Sequence, residues 1–218
     1  MNLSNETLAI LKSFSTINPS IQFREGSELK TISPTKTVLA KAKLKDTIDS
    51  TFAIYDLSRF LGVVSLFEEP QYTLNENTLT IASDDRSVNY TFCDPSTIML
   101  PPDKELNIGE PDVEFQMKKE HFNEVMKALG VMGLPDFVVV GDGSKIYLRA
   151  TDSKNPSADR FDIEVGTTDK TFNVIFRTEN MKLMSNDYNV KIVSKGISHF
   201  QSDDIEYWIA IESTSTFE

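Results

Sequence analysis

Two hydrophobic periodicities alternate along this chain, and their order occurs twice. Apolar residues at helical spacing fill positions 8–17, and runs of alternating apolar residues then predict four strands. A second helical stripe at 57–67 precedes three more strands. After a short strand, the second half repeats the order, with helices predicted at 118–132 and 178–184. The pattern therefore predicts two similar modules in tandem, and a duplicated module favours an assembly over a single catalytic pocket.

The number of predicted helices limits the fold. Four helices cannot cover both faces of the predicted sheets, and antiparallel sheets can leave one face to solvent. We therefore expect an α+β fold of two similar domains, each with antiparallel sheets and two helices on one face. A proline-marked stretch, DPSTIMLPPDKELNIGEPD, separates the copies. The predicted boundaries are 1–93 for the first domain, 94–112 for the connector and 113–218 for the second domain.

Sparse cations lie opposite the apolar stripes of three helices. Lys12, Arg59, Lys119 and Lys127 occupy these faces, and the last two share one side of a helix because they are eight residues apart. None of the helices carries the dense Arg, Asn and Gln face that reads bases. Isolated lysines fit weak, sequence-independent contact with phosphates. The alternative, that these charges are simply solvated, remains open for each residue alone.

Composition narrows the class of protein. The 218 residues are 39% hydrophobic, include a single cysteine, Cys93, and carry a formal net charge of -11. No apolar run approaches the ~20 residues that span a bilayer, and the first residues lack the features of a signal peptide. We expect a soluble intracellular protein without disulfides. The net negative charge argues against nucleic-acid binding by the whole surface. Salt screens each exposed charge beyond about 8 Å, so the position of each lysine matters more than the net charge of the protein.

Candidate catalytic and metal-binding chemistry is sparse. His121 and His199 each lack a partner at metal-ligand spacing. The acidic cluster of Asp203, Asp204 and Glu206 could hold a hard cation, although a solvated loop is the more frequent use of such residues. No glycine-rich phosphate loop opens a helix, and no serine lies in a nucleophile elbow. We expect no enzyme activity, no cofactor and no metal.

Five sequence blocks resemble the sliding clamps of T-even-type phages, which are DNA polymerase processivity factors. They are TLAILKSFSTINPSI, AIYDLSRFLGVVSL, DPSTIMLPP, FNVIFRTENMKLMSNDYNVKI and YWIAIES, and together they span both halves. The resemblance implies the DNA-clamp fold and a closed homotrimeric ring of six similar domains, whose twelve helices line a hole around duplex DNA. It also implies an ATP-dependent clamp loader, a polymerase tethered through its C-terminal peptide, and contact with host RNA polymerase through a phage adaptor. The protein would act in the cytoplasm of the infected bacterial host, away from membranes.

Site residues follow when this resemblance is combined with the hydrophobic pattern. The predicted DNA contacts in the hole are Lys12, Arg59, Lys118, Lys119, Lys127 and Lys182. By analogy with the family, strand 87–92 should pair with strand 160–165 of the neighbouring subunit, since each would complete the other's open edge. The predicted interface residues are Ser87, Val88, Tyr90, Phe92, Arg160, Phe161, Ile163 and Val165.

Partner binding is predicted at two places. Ile98, Met99, Leu100 and Pro101 form an apolar run inside the acidic connector. They either receive partners or pin the connector onto its own domains. On the last strand, alternation places Trp208 on the face away from the core, where it either anchors a partner or covers neighbouring side chains.

Two other functions compete with the clamp. A β-rich phage tail or baseplate subunit would also be oligomeric and non-catalytic, but it would have no need of lysines on its helix faces. A small hydrolase would need the acidic cluster to converge with further carboxylates. The lysine pattern therefore favours the clamp.

Overall fold

The chain forms two compact units, residues 3–104 and 105–218. They are seen in a computed structural model that describes residues 3–218, so Met1 and Asn2 of the predicted first domain lie outside the described residues. The division falls inside the predicted connector 94–112. Within residues 3–218, no helix combines the length and the apolar character that crossing a membrane requires.

The first unit has two α-helices and seven strands within residues 3–104. They are α1 (Asn5–Ile17), α2 (Leu57–Val64), β1 (Ile21–Phe23), β2 (Gly26–Ile32), β3 (Val38–Ile48), β4 (Phe52–Ile54), β5 (Gln71–Leu74), β6 (Thr78–Ser83) and β7 (Arg86–Thr91). Antiparallel pairing joins β1 to β4 and β2 to β3, and β5, β6 and β7 form a three-stranded meander. The strand β7 lies at one edge of that meander.

The first helix is fixed at its start by two side chains. Ser4 caps α1 by accepting a hydrogen bond from the Thr7 N–H at 3.3 Å. Asp46 of β3 accepts from the Ser4 N–H and hydroxyl, both at 2.7 Å, and from the Thr7 hydroxyl at 2.5 Å. Leu11 and Phe14, both 0% exposed, bury the opposite face. Polar contacts at one end and an apolar stripe along its length therefore position α1.

The second helix packs on aromatic rings. Asp56 caps α2 by accepting from the Arg59 N–H at 2.8 Å. Phe60 is fully buried and meets Tyr90 of β7 edge to face, with ring centroids 5.3 Å apart. The Tyr90 hydroxyl donates to the Asp56 carbonyl at 3.1 Å. These contacts attach β7 to α2 as well as to β6, and the helix ends earlier than the predicted range 57–67.

The second unit has one α-helix and nine strands within residues 105–218. They are β8 (Val113–Met117), α3 (Lys119–Met132), β9 (Asp136–Asp142), β10 (Lys145–Thr151), β11 (Phe161–Thr167), β12 (Thr171–Arg177), β13 (Tyr188–Val193), β14 (Ile197–Gln201), β15 (Ile205–Ala210) and β16 (Thr216–Phe217). One antiparallel sheet has the order β11-β10-β9-β12-β16, and β15, β14, β13 and β8 are neighbours in another. The strand β11 lies at one edge of the five-stranded sheet.

A row of phenylalanines holds the second unit together. Phe122 of α3 lies 6.0 Å from Phe137 of β9, measured between ring centroids. Phe137 meets Phe176 of β12 at 6.1 Å, and Phe176 meets Phe200 of β14 at 5.9 Å. Aromatic pairs at these separations are favourable beyond the area that they bury. The row therefore ties α3 to both sheets of the unit.

The predicted fourth helix at 178–184 is wrong. Only Thr178–Asn180 forms a helical turn, of the 3-10 type, and the chain then runs irregularly to β13. The Tyr207 hydroxyl accepts from the Met184 N–H at 3.2 Å, and the Tyr188 hydroxyl donates to the Met184 carbonyl at 2.7 Å. Side chains thus hold both backbone groups of Met184, and a helix of this length is marginal by itself. The expectation of two helices in each domain therefore fails in the second unit.

Candidate nucleic-acid interface

The first unit presents two cations on its helices. Lys12 of α1 and Arg59 of α2 are exposed, and neither forms an ion pair with another residue in the described part of the chain. Glu6, the acid in the first turn of α1, pairs instead with Lys45 at 3.0 Å. The hydrogen bond from Lys45 lowers the pKa of the Glu6 carboxyl. The helix faces of this unit therefore carry cations that are not neutralised by the neighbouring acid.

The second unit carries mixed charge on its helix. Lys119 and Lys127 are exposed on α3, but so are Glu120 and Glu124. The Lys119 ammonium lies 4.0 Å from the Glu120 carboxylate. The net charge of these four side chains is zero. The spacing of the lysines alone did not show that two glutamates accompany them.

Two further predicted DNA contacts lie off the helices. Lys118 is exposed and precedes α3 at the N-cap, where its side chain makes no capping hydrogen bond. Asp187 serves instead, by accepting from the Lys119 N–H at 2.8 Å. Lys182 is half-buried in the irregular segment that replaces the predicted fourth helix. Neither Lys118 nor Lys182 is therefore held on a helix face.

Lys12 and Lys127 hold matching positions in the two units. Each lies two residues before a core residue, Phe14 at 0% exposure or Leu129 at 2%. Each also lies five residues after another buried residue of the same stripe. Because residues two apart on a helix point in different directions, both lysines turn away from their cores. The duplicated order of elements therefore repeats one exposed cation.

Two edge strands carry most of the residues predicted to form a subunit interface. They are β7, at the edge of the meander, and β11, at the edge of the five-stranded sheet. Val88 and Tyr90 on β7 are half-buried, as are Phe161, Ile163 and Val165 on β11. A half-buried apolar row on an edge strand, beside unpaired backbone groups, is the kind of surface that strand addition covers.

The remaining predicted interface residues flank these rows. Ser87 is exposed on β7. Phe92 follows β7 and stacks on Phe52, with ring centroids 4.7 Å apart, so its ring belongs to the aromatic cluster of its own unit. Arg160 precedes β11, is exposed, and lies 3.8 Å from Asp162.

The groups considered for catalysis or metal binding do not come together in the part of the chain that the structure describes. No set of three or more His, Cys, Asp or Glu side chains within residues 3–218 could hold a metal ion. Glu206 of the acidic cluster lies 2.8 Å from His199 Nε2. The Nδ1 atom of His121 is buried and has no hydrogen-bond partner among the described residues. Burial raises the pKa of the Cys93 thiol, which is the opposite of the shift that activates a nucleophile.

Two family models match this chain. The one described as "gp45 sliding clamp, C terminal" matches residues 105–213, and the one described as "DNA polymerase processivity factor" matches residues 4–100. The chain is 30% identical to the sliding clamp of Vibrio phage KVP40, over 98% of this chain and 100% of that protein. It is 28% identical to the sliding clamp of Enterobacteria phage T4, over 100% of both. The chain belongs to the phage sliding-clamp family. It is a DNA polymerase processivity factor, not a tail or baseplate subunit.

Solved clamps share the fold of this clamp at low sequence identity. The PCNA of A. fulgidus, solved with the C-terminal region of FEN-1, is 13% identical, with a TM-score of 0.71 over 96% of each chain. The β clamp of Helicobacter pylori, solved with a DNA ligase peptide, is 12% identical, with a TM-score of 0.71 over 97% of this chain and 65% of that one. The predicted DNA-clamp fold is therefore confirmed.

The connector of the clamp is pinned to the first unit through its backbone. Asn18, 2% exposed at the end of α1, donates from its side-chain amide to the Ile32 carbonyl at 2.8 Å and the Met99 carbonyl at 3.4 Å. Arg24 pairs with Asp103 at 2.5 Å. The Met99 side chain nevertheless stays 39% exposed. The other members of the apolar run are half-buried: Ile98, Leu100 and Pro101.

Trp208 of the clamp is not an exposed anchor. It follows Tyr207 and precedes Ile209, both 0% exposed, so its ring lies on the opposite face of β15, as alternation predicts. That ring is only 8% exposed, because it stacks on His199 with centroids 4.7 Å apart and 11° between the planes. Burial lowers the pKa of His199, and the hydrogen bond with Glu206 opposes that shift. Trp208 therefore covers a neighbouring side chain, the second of the two roles that the sequence allowed.

Three acidic residues shape the helix faces of the clamp and were not predicted. Asp46 and Asp187 bind the first turns of α1 and α3 from distant positions in the sequence. The lack of a capping side chain at Lys118 was the one signal of a remote cap, since the first N–H groups of a helix need acceptors. The sequence contained a signal for Glu124, because helical spacing puts it on the same exposed face of α3 as Lys127.

Proposed function

We propose that three copies of this clamp close into a ring around duplex DNA and hold the replicative polymerase there without catalysing a reaction. The observation that carries the proposal is the matched pair Lys12 and Lys127, exposed opposite the core in both units. A ring that is linked topologically to DNA needs no tight binding, so a few exchangeable lysine–phosphate contacts suffice. The net charge of -11 repels DNA from the rest of the surface.

The DNA contacts are tested by charge reversal. Lys12→Glu, Lys119→Glu and Lys127→Glu together should abolish the stimulation of polymerase processivity in an assay with clamp loader and ATP. The matched control reverses three exposed lysines outside the helices, Lys36, Lys154 and Lys195, and so changes the net charge equally. Long products with the helix triple variant, or their equal loss in the control, would contradict pore contact by these lysines. Arg59, Lys118 and Lys182 complete the proposed set.

The ring is proposed to form by pairing β7 of one copy with β11 of the next. Such a head-to-tail contact closes when the rotation per subunit divides a full turn. Asp162 and Glu164 on β11 are already paired within the chain, with Arg149 at 2.7 Å and Lys145 at 2.6 Å. The edge of β11 therefore presents its half-buried apolar side chains and unpaired backbone groups to a neighbouring strand. Its two acidic side chains are already neutralised within the chain.

Proline variants test this contact. Tyr90→Pro and Ile163→Pro should each sediment as monomers, whereas the unchanged protein should have about three times the mass of 24.6 kDa. Each variant keeps one intact edge. An equimolar mixture should therefore form a one-to-one dimer, which also shows that both variants are folded. A trimer of either variant would refute the β7–β11 contact.

Partners are proposed to dock at the connector. The exposed Met99, on a backbone that is held in place, suits a site that receives the polymerase C-terminal peptide, the clamp loader and, through a phage adaptor, host RNA polymerase. A C-terminal region of FEN-1 on one related fold and a DNA ligase peptide on another support peptide capture. Met99→Glu should weaken binding of the polymerase peptide, and Met132→Glu, 39% exposed like Met99 but outside the connector, should not. Trp208 is a weaker candidate because it is covered.

The site of action is proposed to be the cytoplasm of the infected host.

A further inference from the structure

A groove of 990 Å³ runs between α1 and α2 in the first unit. The Leu57 N–H donates to the Pro19 carbonyl at 2.7 Å, so α2 begins beside the end of α1. Both helices line the groove, so they run antiparallel and the start of α1 lies beside the end of α2. The groove therefore has two ends, and different residues line each of them.

One end of the groove is apolar. The start of α1, the end of α2 and the chain that leads into β5 line it with Leu3, Leu8, Val64, Phe67, Pro70 and Tyr72. Leu8, Phe67 and Pro70 are half-buried, so part of each side chain still faces solvent. Covering such apolar surface is favourable. This end of the groove therefore suits an apolar group.

The other end of the groove is polar and carries a cation. The residues that line it are Lys12, Ser15 and Ser58. Lys12 is exposed and forms no ion pair within residues 3–218. The acid that lines the groove, Glu69, precedes Pro70 and so belongs to the apolar end. The charges therefore favour an anionic group at Lys12 and disfavour one at the far end.

We infer that the groove binds a carboxylate with one long alkyl chain, whose head lies at Lys12 and whose chain runs past Leu8 towards Phe67 and Tyr72. Binding sites for small molecules commonly combine apolar walls with a few polar groups that fix orientation. From Asn5 to Ser15 the groove follows α1 for about 15 Å, at 1.5 Å per residue, which leaves room for an extended alkyl chain. The site goes beyond the proposed function, because no DNA takes part in it.

The deciding experiment compares three ligands that share one alkyl chain. Dodecanoate, dodecanol and dodecyltrimethylammonium are titrated below their micelle concentrations, and displacement of the fluorescent probe anilinonaphthalene sulfonate is measured. We expect one dodecanoate to bind per chain, about fivefold more tightly than dodecanol, with the cation weakest. The net charge of -11 favours the opposite order for binding elsewhere on the surface. Equal affinities, or dodecanoate binding that does not saturate, would overturn the site.

Matched variants locate the ligand. Lys12→Gln should lower dodecanoate affinity about fivefold and leave dodecanol unchanged, whereas Lys36→Gln, at an exposed position outside the groove, should change neither. Leu8→Gln should lower the affinity for both ligands about tenfold. Ile10→Gln is the control, because Ile10 is equally half-buried on α1 but does not line the groove.

The outcomes separate the groove from the proposed function. Equal losses with Leu8→Gln and Ile10→Gln, or an unchanged preference for dodecanoate with Lys12→Gln, would overturn the site. If Leu8→Gln disturbs the fold, which circular dichroism would reveal, the exposed Lys12→Gln decides alone. One consequence rests on the proposed function: bound dodecanoate should weaken duplex binding, because it neutralises Lys12. Dodecanoate that binds without this effect would keep the site and contradict the contact of Lys12 with DNA.

Discussion

The two units share much of their order of elements, but the second lacks a counterpart of α2, and their helix surfaces differ. In the first, α1 and α2 lie side by side around a groove that contains Lys12. In the second, α3 has no α-helical neighbour within residues 105–218, and its two lysines share their face with Glu120 and Glu124. The units therefore share antiparallel sheets and one lysine position, while the charges on their helix faces differ. A ring of such chains would contact DNA unequally around its circumference.

The units also differ in the burial of the aspartate that anchors neighbouring backbone in each. In the first, Asp46 fixes the start of α1 from a partly exposed position. In the second, Asp136 is 1% exposed and accepts from the Ser153 N–H at 2.9 Å, the Ser153 hydroxyl at 2.5 Å and the Arg177 guanidinium at 3.1 Å. A buried charge of this kind is costly once its partners are broken. The second unit should therefore depend more on its anchor than the first.

The largest expected effect is loss of the anchor in the second unit. Asp136→Ala should lower the free energy of unfolding by about 3 kcal/mol, because it leaves Arg177 and Ser153 without their buried acceptor. Urea denaturation followed by circular dichroism measures the change. Asp159→Ala, at an exposed position in the same loop region, is the matched control and should have little effect. A loss below about 1 kcal/mol for Asp136→Ala would contradict this dependence.

The next effect compares the helix faces directly. Lys12→Glu with Arg59→Glu should reduce duplex affinity about a hundredfold in 50 mM salt, since two phosphate contacts are lost. Lys119→Glu with Lys127→Glu changes the net charge equally but should cost only about tenfold, because Glu120 and Glu124 already weaken the attraction of that face. Titration of a fluorescent duplex measures both. Equal losses would mean that the acidic residues of α3 do not matter.

Much of the fold could be predicted because local signals agreed with the tertiary structure. The helical patterns at 8–17, 57–67 and 118–132 lie on α1, α2 and α3, where the apolar stripe of each helix packs against its own unit. The segment 178–184 failed because its local helical signal competes with hydrogen bonds from Tyr188 and Tyr207, which no local pattern displays. Short helices are the elements that such contacts override most readily.

The candidate site was less predictable than the fold. Helical spacing identified which faces of α1, α2 and α3 turn outward, but not what lies beside each lysine. The groove is lined by residues of α1 and of α2 together, a relation between elements that periodicity does not encode. The sequence left two roles open for Trp208 for the same reason. Its cross-strand partner is His199, and strand register decides that contact.

A smaller effect concerns the anchor of the first unit. Asp46→Ala removes three hydrogen bonds at the start of α1 and should lower the free energy of unfolding by about 2 kcal/mol at pH 7. Burial raises the pKa of Asp46, but hydrogen bonds from Thr7 and Ser4 outweigh it and hold the pKa below 3.8. The stabilisation is therefore complete above about pH 4 and is lost as the pH falls through the folded pKa.

Chemical denaturation at pH 7 and pH 3 tests both parts of this prediction. The difference between Asp46→Ala and the unchanged protein should narrow at pH 3, while Glu76→Ala, at an exposed turn, should show little difference at either pH. A gap that stays constant between the two pH values would mean that the charge of Asp46 is not what fixes α1.

The smallest expected effect makes the second unit resemble the first. Glu124→Gln removes one negative charge from the exposed face of α3 and keeps the shape of the side chain and the helix propensity. Duplex affinity should rise about twofold in 50 mM salt, and the gain should vanish in 500 mM salt because exposed charges are screened within a few ångströms there. Glu76→Gln changes the net charge equally outside the helices and should leave affinity unchanged. If both substitutions raised affinity alike, net charge rather than the α3 face would govern binding.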